Sequence, residues 1–185
     1  RRMSATSTTT LSPPSTGCGD AGSGGPAGRL EEAIGRTPLV ALRRVVETGS
    51  APILAKLEGM NPGGSVKDRT ALAIVLRAER EGRLGPDRAL LDASSGNTAI
   101  AYAMLCAGRG YECEICLPAN ASRERKRLLG AYGARIVETD PLEGSDGAIR
   151  EARRRAREEP DRYFYADQYD NPANLEAHRR GTAPE

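Results

Sequence analysis

Lysine occurs only three times in this chain of 185 residues, against twenty-four arginines, and one of the three sits in the glycine turn NPGGSVKDR. That residue is Lys67, and the spacing of Leu72, Val75, Leu76 and Glu79 predicts a helix from Asp68 to Gly82 directly after it. A helix N-terminus favours negative charge, so an ammonium placed there is pressed towards its neutral form. A neutral lysine is a base and a nucleophile towards aldehydes, as needed to hold a carbonyl cofactor as a Schiff base. An exposed lysine in a glycine turn is the plainer reading, and the residue alone does not separate the two.

Two further turns carry groups that can bind. In DASSGNTAIAYA a strand ends at Ala93, and Ser94, Ser95, Gly96, Asn97 and Thr98 open a helix. Both nucleotide fingerprints, G-x-G-x-x-G and G-K-[ST], are missing from it. Small hydroxyls, an amide and backbone N–H groups at a helix N-terminus suit a carboxylate. Plain helix capping by Ser and Asn is the competing explanation. In ADQYDNPAN, the residues Asp167, Gln168, Asn171 and Asn174 follow the last expected strand.

The elements that must position these turns alternate. PILAKLE, RALLDA, YECEICLP, ARIVETD and RYFYAD read as strands. The segments 97–108, 122–133 and 145–159 read as helices, with Ser122 as an N-cap and Gly133 as a stop. A last helix begins near Pro172. Strands alternating with helices of this length imply an α/β fold, a parallel sheet with helices on both faces. Ligands of such sheets sit beyond the carboxyl ends of the strands. The three turns are therefore expected at one end of the sheet.

The totals narrow the function. A net charge of +2 argues against nucleic-acid or membrane-surface binding. The arginine-dense stretches SRERKRLL and REARRRAREE are interleaved with acids, and aromatics make up 4%, so they read as solvated helix faces. No apolar run suggests a membrane-spanning helix or a signal peptide. Of the four cysteines, Cys113 and Cys116 form a C-x-x-C, but in an alternating strand they point to opposite faces. No metal site is expected, and free thiols suit a reducing cytoplasm. The single histidine, His178, reads as structural. Residues 1–28, almost all Ser, Thr, Gly, Pro and Ala, read as a disordered low-complexity leader, and 29–185 as the folded part.

NPGGSVKDRTAL resembles the cofactor-lysine motif of the cysteine synthase and cystathionine β-synthase family, pyridoxal-phosphate enzymes of the tryptophan synthase β fold. IGRTPLV (34–40), SSGNTAIAYA, LLGAYGARIVET and DQYDNPANLEAH resemble further motifs of that family in the same order, covering about 30–185. The resemblance implies that Lys67 binds pyridoxal 5'-phosphate covalently and moves protons at the substrate's Cα. It implies that Asn97 bonds the cofactor's ring hydroxyl. Ser95, Gly96, Asn97 and Thr98 would receive the amino-acid substrate, its carboxylate also reached by Gln168. Ala99 stands where the family usually carries glycine. The implied reaction is β-replacement, giving L-cysteine from O-acetylserine or O-phosphoserine and a sulfur donor. PLEGSDGAIREA and YADQYDNPAN lean towards the branch called cysteine synthase B. The family is usually homodimeric. A related dehydratase, a cystathionine-forming enzyme and a non-catalytic, partner-binding remnant are the alternatives.

Family members run to about twice this length, and no G-T-G-G-T run for the cofactor phosphate occurs in these residues. The resemblance therefore implies the N-terminal part of an enzyme, with the 185-residue piece alone inactive or nearly so. It also implies that TPLV and ILAKLE lack sheet neighbours.

Overall fold

The computed structural model describes residues 29–42, 44, 49 and 51–185. The leader expected over 1–28 lies outside the described residues. The centre of the fold is a four-stranded parallel sheet built from β3 (Ala89–Ala93), β4 (Cys113–Pro118), β5 (Arg135–Thr139) and β6 (Tyr163–Tyr165), in the order β5-β4-β3-β6. β3 and β4 are buried along their whole length: β3 reads accordingly as a short apolar run, whereas β4 reads as alternating because it carries the buried Glu114.

Helices cover both faces. On one lie α2 (Asn97–Arg109) and α3 (Arg123–Ala131), with α1 (Lys67–Arg80) packed on α2 and α5 (Pro172–Ala177) on α1. Their core holds Ile74, Leu90, Tyr102, Leu105, Ile115 and Leu129. On the other face α4 (Gly144–Glu158) packs Ala148 and Ala152 against Leu91, Cys116 and Tyr163. Cys113 and Cys116 fall in different clusters, one on each side of the sheet, as strand alternation requires. α2 is apolar nearly all round because α1, α3 and the sheet enclose it.

Local signals set the boundaries. Ser122 caps α3 by accepting the Arg125 N–H, and Asn171 caps α5 by accepting the Ala173 N–H. Gly133 ends the α3 turn in the left-handed region (φ 79°).

The N-terminal strands depart from expectation. β1 (Leu39–Leu42) and β2 (Ile53–Lys56) do have a neighbour: they pair antiparallel with each other in a separate two-stranded sheet. Leu39, Leu42, Ile53 and Leu54 remain exposed on it. The glycine turn before α1 therefore follows a strand outside the parallel sheet, while the other two turns leave β3 and β6 at its carboxyl edge.

Candidate active site

Lys67 opens α1 from a turn that its neighbours hold rigidly. Asn61, buried, accepts the Gly35 N–H at 2.8 Å and donates to the carbonyls of Glu58 and Ser65, both at 3.0 Å. Asp68, also buried, accepts the Gly63 N–H at 2.5 Å. Arg69 reaches Glu58 at 2.8 Å and Glu185 at 2.7 Å. Burial alone would raise the Glu58 carboxyl, but hydrogen bonds from Arg69, Thr37 and Asn61 hold it down at about 2. Arg69 and Lys56 likewise hold Glu185 well below the usual carboxylate range.

The first turn of α1 is thus fixed by Asp68 and Arg69, while Lys67 points elsewhere. Lys56 is bonded to Glu185 and the Thr37 carbonyl, and Lys126 to Glu138 and the Ala119 carbonyl. Among the described residues the Lys67 ammonium has neither a hydrogen bond nor an ion pair.

The second turn leaves β3 after Ala93. The Ser94 N–H donates to the Cys116 carbonyl at 3.1 Å, and the Gly96 N–H to the Ser94 hydroxyl at 3.2 Å. Gly96 is the N-cap of α2, yet among the described residues no side chain accepts from the first turn of that helix. Capping by Ser and Asn therefore does not account for the turn. Among the described residues the first-turn donors of α2 have no side-chain acceptor.

The third turn locks onto the second. Gln168, buried, donates its backbone N–H to Asp92 at 3.3 Å and its side-chain amide to the Ala93 carbonyl at 2.9 Å. One amide N–H and the amide oxygen of Gln168 have no partner among the described residues. Asn174 holds the Gln168 carbonyl at 2.8 Å. Burial pushes the Asp92 carboxyl up to about 7, against the pull of the Ala93 and Gln168 N–H groups.

The three turns meet in one cavity of about 490 Å³, which Lys67, Ser95, Gly96, Asn97, Thr98 and Gln168 all line. The residues that the resemblance assigns to the site are therefore in one place; of the third turn's other polar residues Asn174 lines the cavity, and Asp167 and Asn171 do not. No Asp or Glu is among the lining residues, while Lys67 and Arg125 are. A family model described as pyridoxal-phosphate dependent enzyme matches residues 30–185. The chain belongs to that family.

Relatives of the chain include a cysteine synthase of Staphylococcus aureus (strain Mu50 / ATCC 700699). It is 45% identical over 160 residues, which are 86% of this chain and 51% of the relative. A cysteine synthase of Aquifex aeolicus (strain VF5) is 46% identical over 155 residues, 82% of this chain and 47% of the relative. The chain thus spans about half the length of the curated relatives it matches. Among solved structures, an O-ureido-L-serine synthase superposes with a TM-score of 0.80 at 41% identity, covering 84% of this chain and 48% of that one. A cysteine synthase from Entamoeba histolytica superposes with a TM-score of 0.76 at 36% identity, covering 93% and 50%.

The lining suits the family's cofactor. A partnerless amine meets the need for a group that condenses with an aldehyde. Hydroxyl, amide and uncapped backbone donors, with no carboxylate beside them, suit an anionic ligand. Sequence reasoning missed Arg125, assigned to a solvated helix face, and Asp92, which read as one more strand residue. A signal for Arg125 was available: it occupies the third position of a Ser-capped helix, where a glutamate or glutamine completes a capping box.

Proposed function

We propose that this chain carries the lysine and the amino-acid pocket of a pyridoxal-phosphate-dependent β-replacement enzyme that makes L-cysteine. The observation that carries this reading is the partnerless Lys67 ammonium, set in an acid-free cavity against the uncapped N-terminus of α2. The cysteine synthase relatives support it.

Bound pyridoxal phosphate supplies an aldehyde and a ring that stabilises negative charge at the Cα of an amino acid. Lys67 would hold the aldehyde carbon, and Asn97 the ring hydroxyl. Ser95, Gly96 and Thr98 would take the substrate carboxylate, helped by the α2 dipole, with the free amide hydrogen of Gln168 reaching it from the third turn. The Lys67 amine would also be the base that removes the Cα proton and later returns it. The rigid anchoring of Asp68 and Arg69 keeps that amine aimed while it works.

The substrate would be O-acetylserine or O-phosphoserine, with a sulfur donor as nucleophile. The whole protein would act as a homodimer in the cytoplasm, where its thiols stay reduced; Cys106, Cys113 and Cys116 are free and buried. No helix among the described residues is long and apolar enough to cross a membrane. Borohydride reduction of the protein mixed with pyridoxal phosphate, followed by peptide mass spectrometry, tests the site. The expected label is on Lys67. A label on Lys56 or Lys126, or on none, ends the proposal.

A further inference from the structure

Arg125 lies in the first turn of α3, where the helix dipole disfavours a cation. Its position is therefore not explained by helix stability. Its guanidinium leaves the helix and donates to the Ser95 carbonyl at 3.1 Å. Among the described residues it has no acidic partner, and it shares the acid-free cavity with Lys67.

The bond matters because of what it grips. The carbonyl of Ser95 and the N–H of Gly96 belong to one planar trans peptide and point in opposite directions. Arg125 holds the carbonyl and the Ser94 hydroxyl holds the N–H at 3.2 Å, so the peptide plane is fixed from both sides. That peptide leads directly into Asn97, the first residue of α2. Arg125 itself springs from an anchored base, since Lys126 ties the preceding turn through the Ala119 carbonyl and Glu138.

We propose that Arg125 is a positioning residue of the amino-acid pocket. It sets the Ser95–Gly96 peptide so that the 94–98 loop presents its donors to the substrate carboxylate, and it lends that anion a charge no acid neutralises. The proposal rests on the reading that this loop takes an amino-acid carboxylate.

The test uses the natural protein that bears this chain, loaded with pyridoxal phosphate. L-serine and ethanolamine, which has the amine but no carboxylate, are titrated while the cofactor absorption band is followed. Arg125→Ala should weaken L-serine about tenfold, the loss of one charge-assisted contact, and leave ethanolamine within about twofold. The resting band and melting temperature should not move, and Arg125→Lys should recover part of the loss. Should Arg125→Ala fail to fold, Arg125→Gln, which keeps much of the stem, carries the same comparison. Equal weakening of both ligands, or of neither, overturns the role of Arg125 while the cofactor reading stands. A missing band in the unsubstituted protein overturns the cofactor reading, and this proposal with it.

Discussion

Gly63 and Asp68 are fitted to each other without room to spare: the Gly63 N–H donates to one carboxylate oxygen at 2.5 Å, and a Cβ on Gly63 would meet the other at 2.5 Å. The carboxylate is buried and cannot swing into solvent. Gly63→Ala should therefore displace either the turn or Asp68, at a cost of about 1–3 kcal/mol. Because α1 begins at this contact, the lysine should move too. Urea unfolding of the variant reads the first effect, and its rate of borohydride-trapped labelling by pyridoxal phosphate reads the second. A variant unchanged in both would show that the contact does not hold the turn.

Arg69 gathers Glu58, 11 residues before it, and Glu185, 116 residues after it, and its side chain is 6% exposed. Glu58 sits at about 2 in the fold against an ordinary 4.5. Between those values the unfolded chain binds a proton that the folded chain does not. Stability from this group is present above about pH 4.5 and is lost as the pH falls towards 2. Arg69→Met should unfold more easily at neutral pH, by about 3–5 kcal/mol, because two carboxylates lose their buried partner. It should also lose less on acidification than the parent. Melting curves between pH 2 and 6 for both proteins check this, and parallel acid slopes would refute it.

Asp92 has the opposite sign. Burial lifts it from an ordinary 3.8 to about 7, with Asp167 adding to the rise and the Ala93 and Gln168 N–H groups opposing it. Between those values the folded chain keeps a proton that the unfolded chain releases. Stability from this group should fall as the pH rises from about 4 to about 7, and stay level above. Asp92→Asn cannot titrate, so its stability should lack that slope whatever its offset. The same melting series, extended to pH 8, would expose an error here as a slope that survives the substitution.

The local placement of the candidate site residues was readable in advance. Lys67 and the 94–98 loop lie where strands or turns run into helices, and a turn declares itself within a few residues. The opposite faces of Cys113 and Cys116 followed from strand alternation in the same way. The features that escaped depend on distant partners. Arg125 meets a residue 30 positions away, Gln168 meets Asp92 across 76, and Arg69 meets Glu185 across 116. Nothing in a run of arginines tells which one leaves its helix to hold a loop. The pairing of β1 with β2 was missed for a related reason. The resemblance supplied neighbours for each strand elsewhere in a longer chain, whereas their apolar pattern only says that they pair with something.

Lys67 and Lys56 offer a last contrast, because stability and chemistry should separate between them. The Lys56 ammonium is held by Glu185 and the Thr37 carbonyl, and its side chain is 14% exposed. Lys56→Met should therefore cost about 1–3 kcal/mol, since a carboxylate and a carbonyl lose their donor. The Lys67 ammonium has no partner among the described residues, so Lys67→Met should change stability by no more than about 0.5 kcal/mol. A residue kept for packing or for an ion pair behaves like Lys56. One kept for a reaction leaves the fold intact when it is removed. Urea unfolding of the two variants at pH 7 makes the comparison, and a loss at Lys67 as large as that at Lys56 would show that it is a structural lysine.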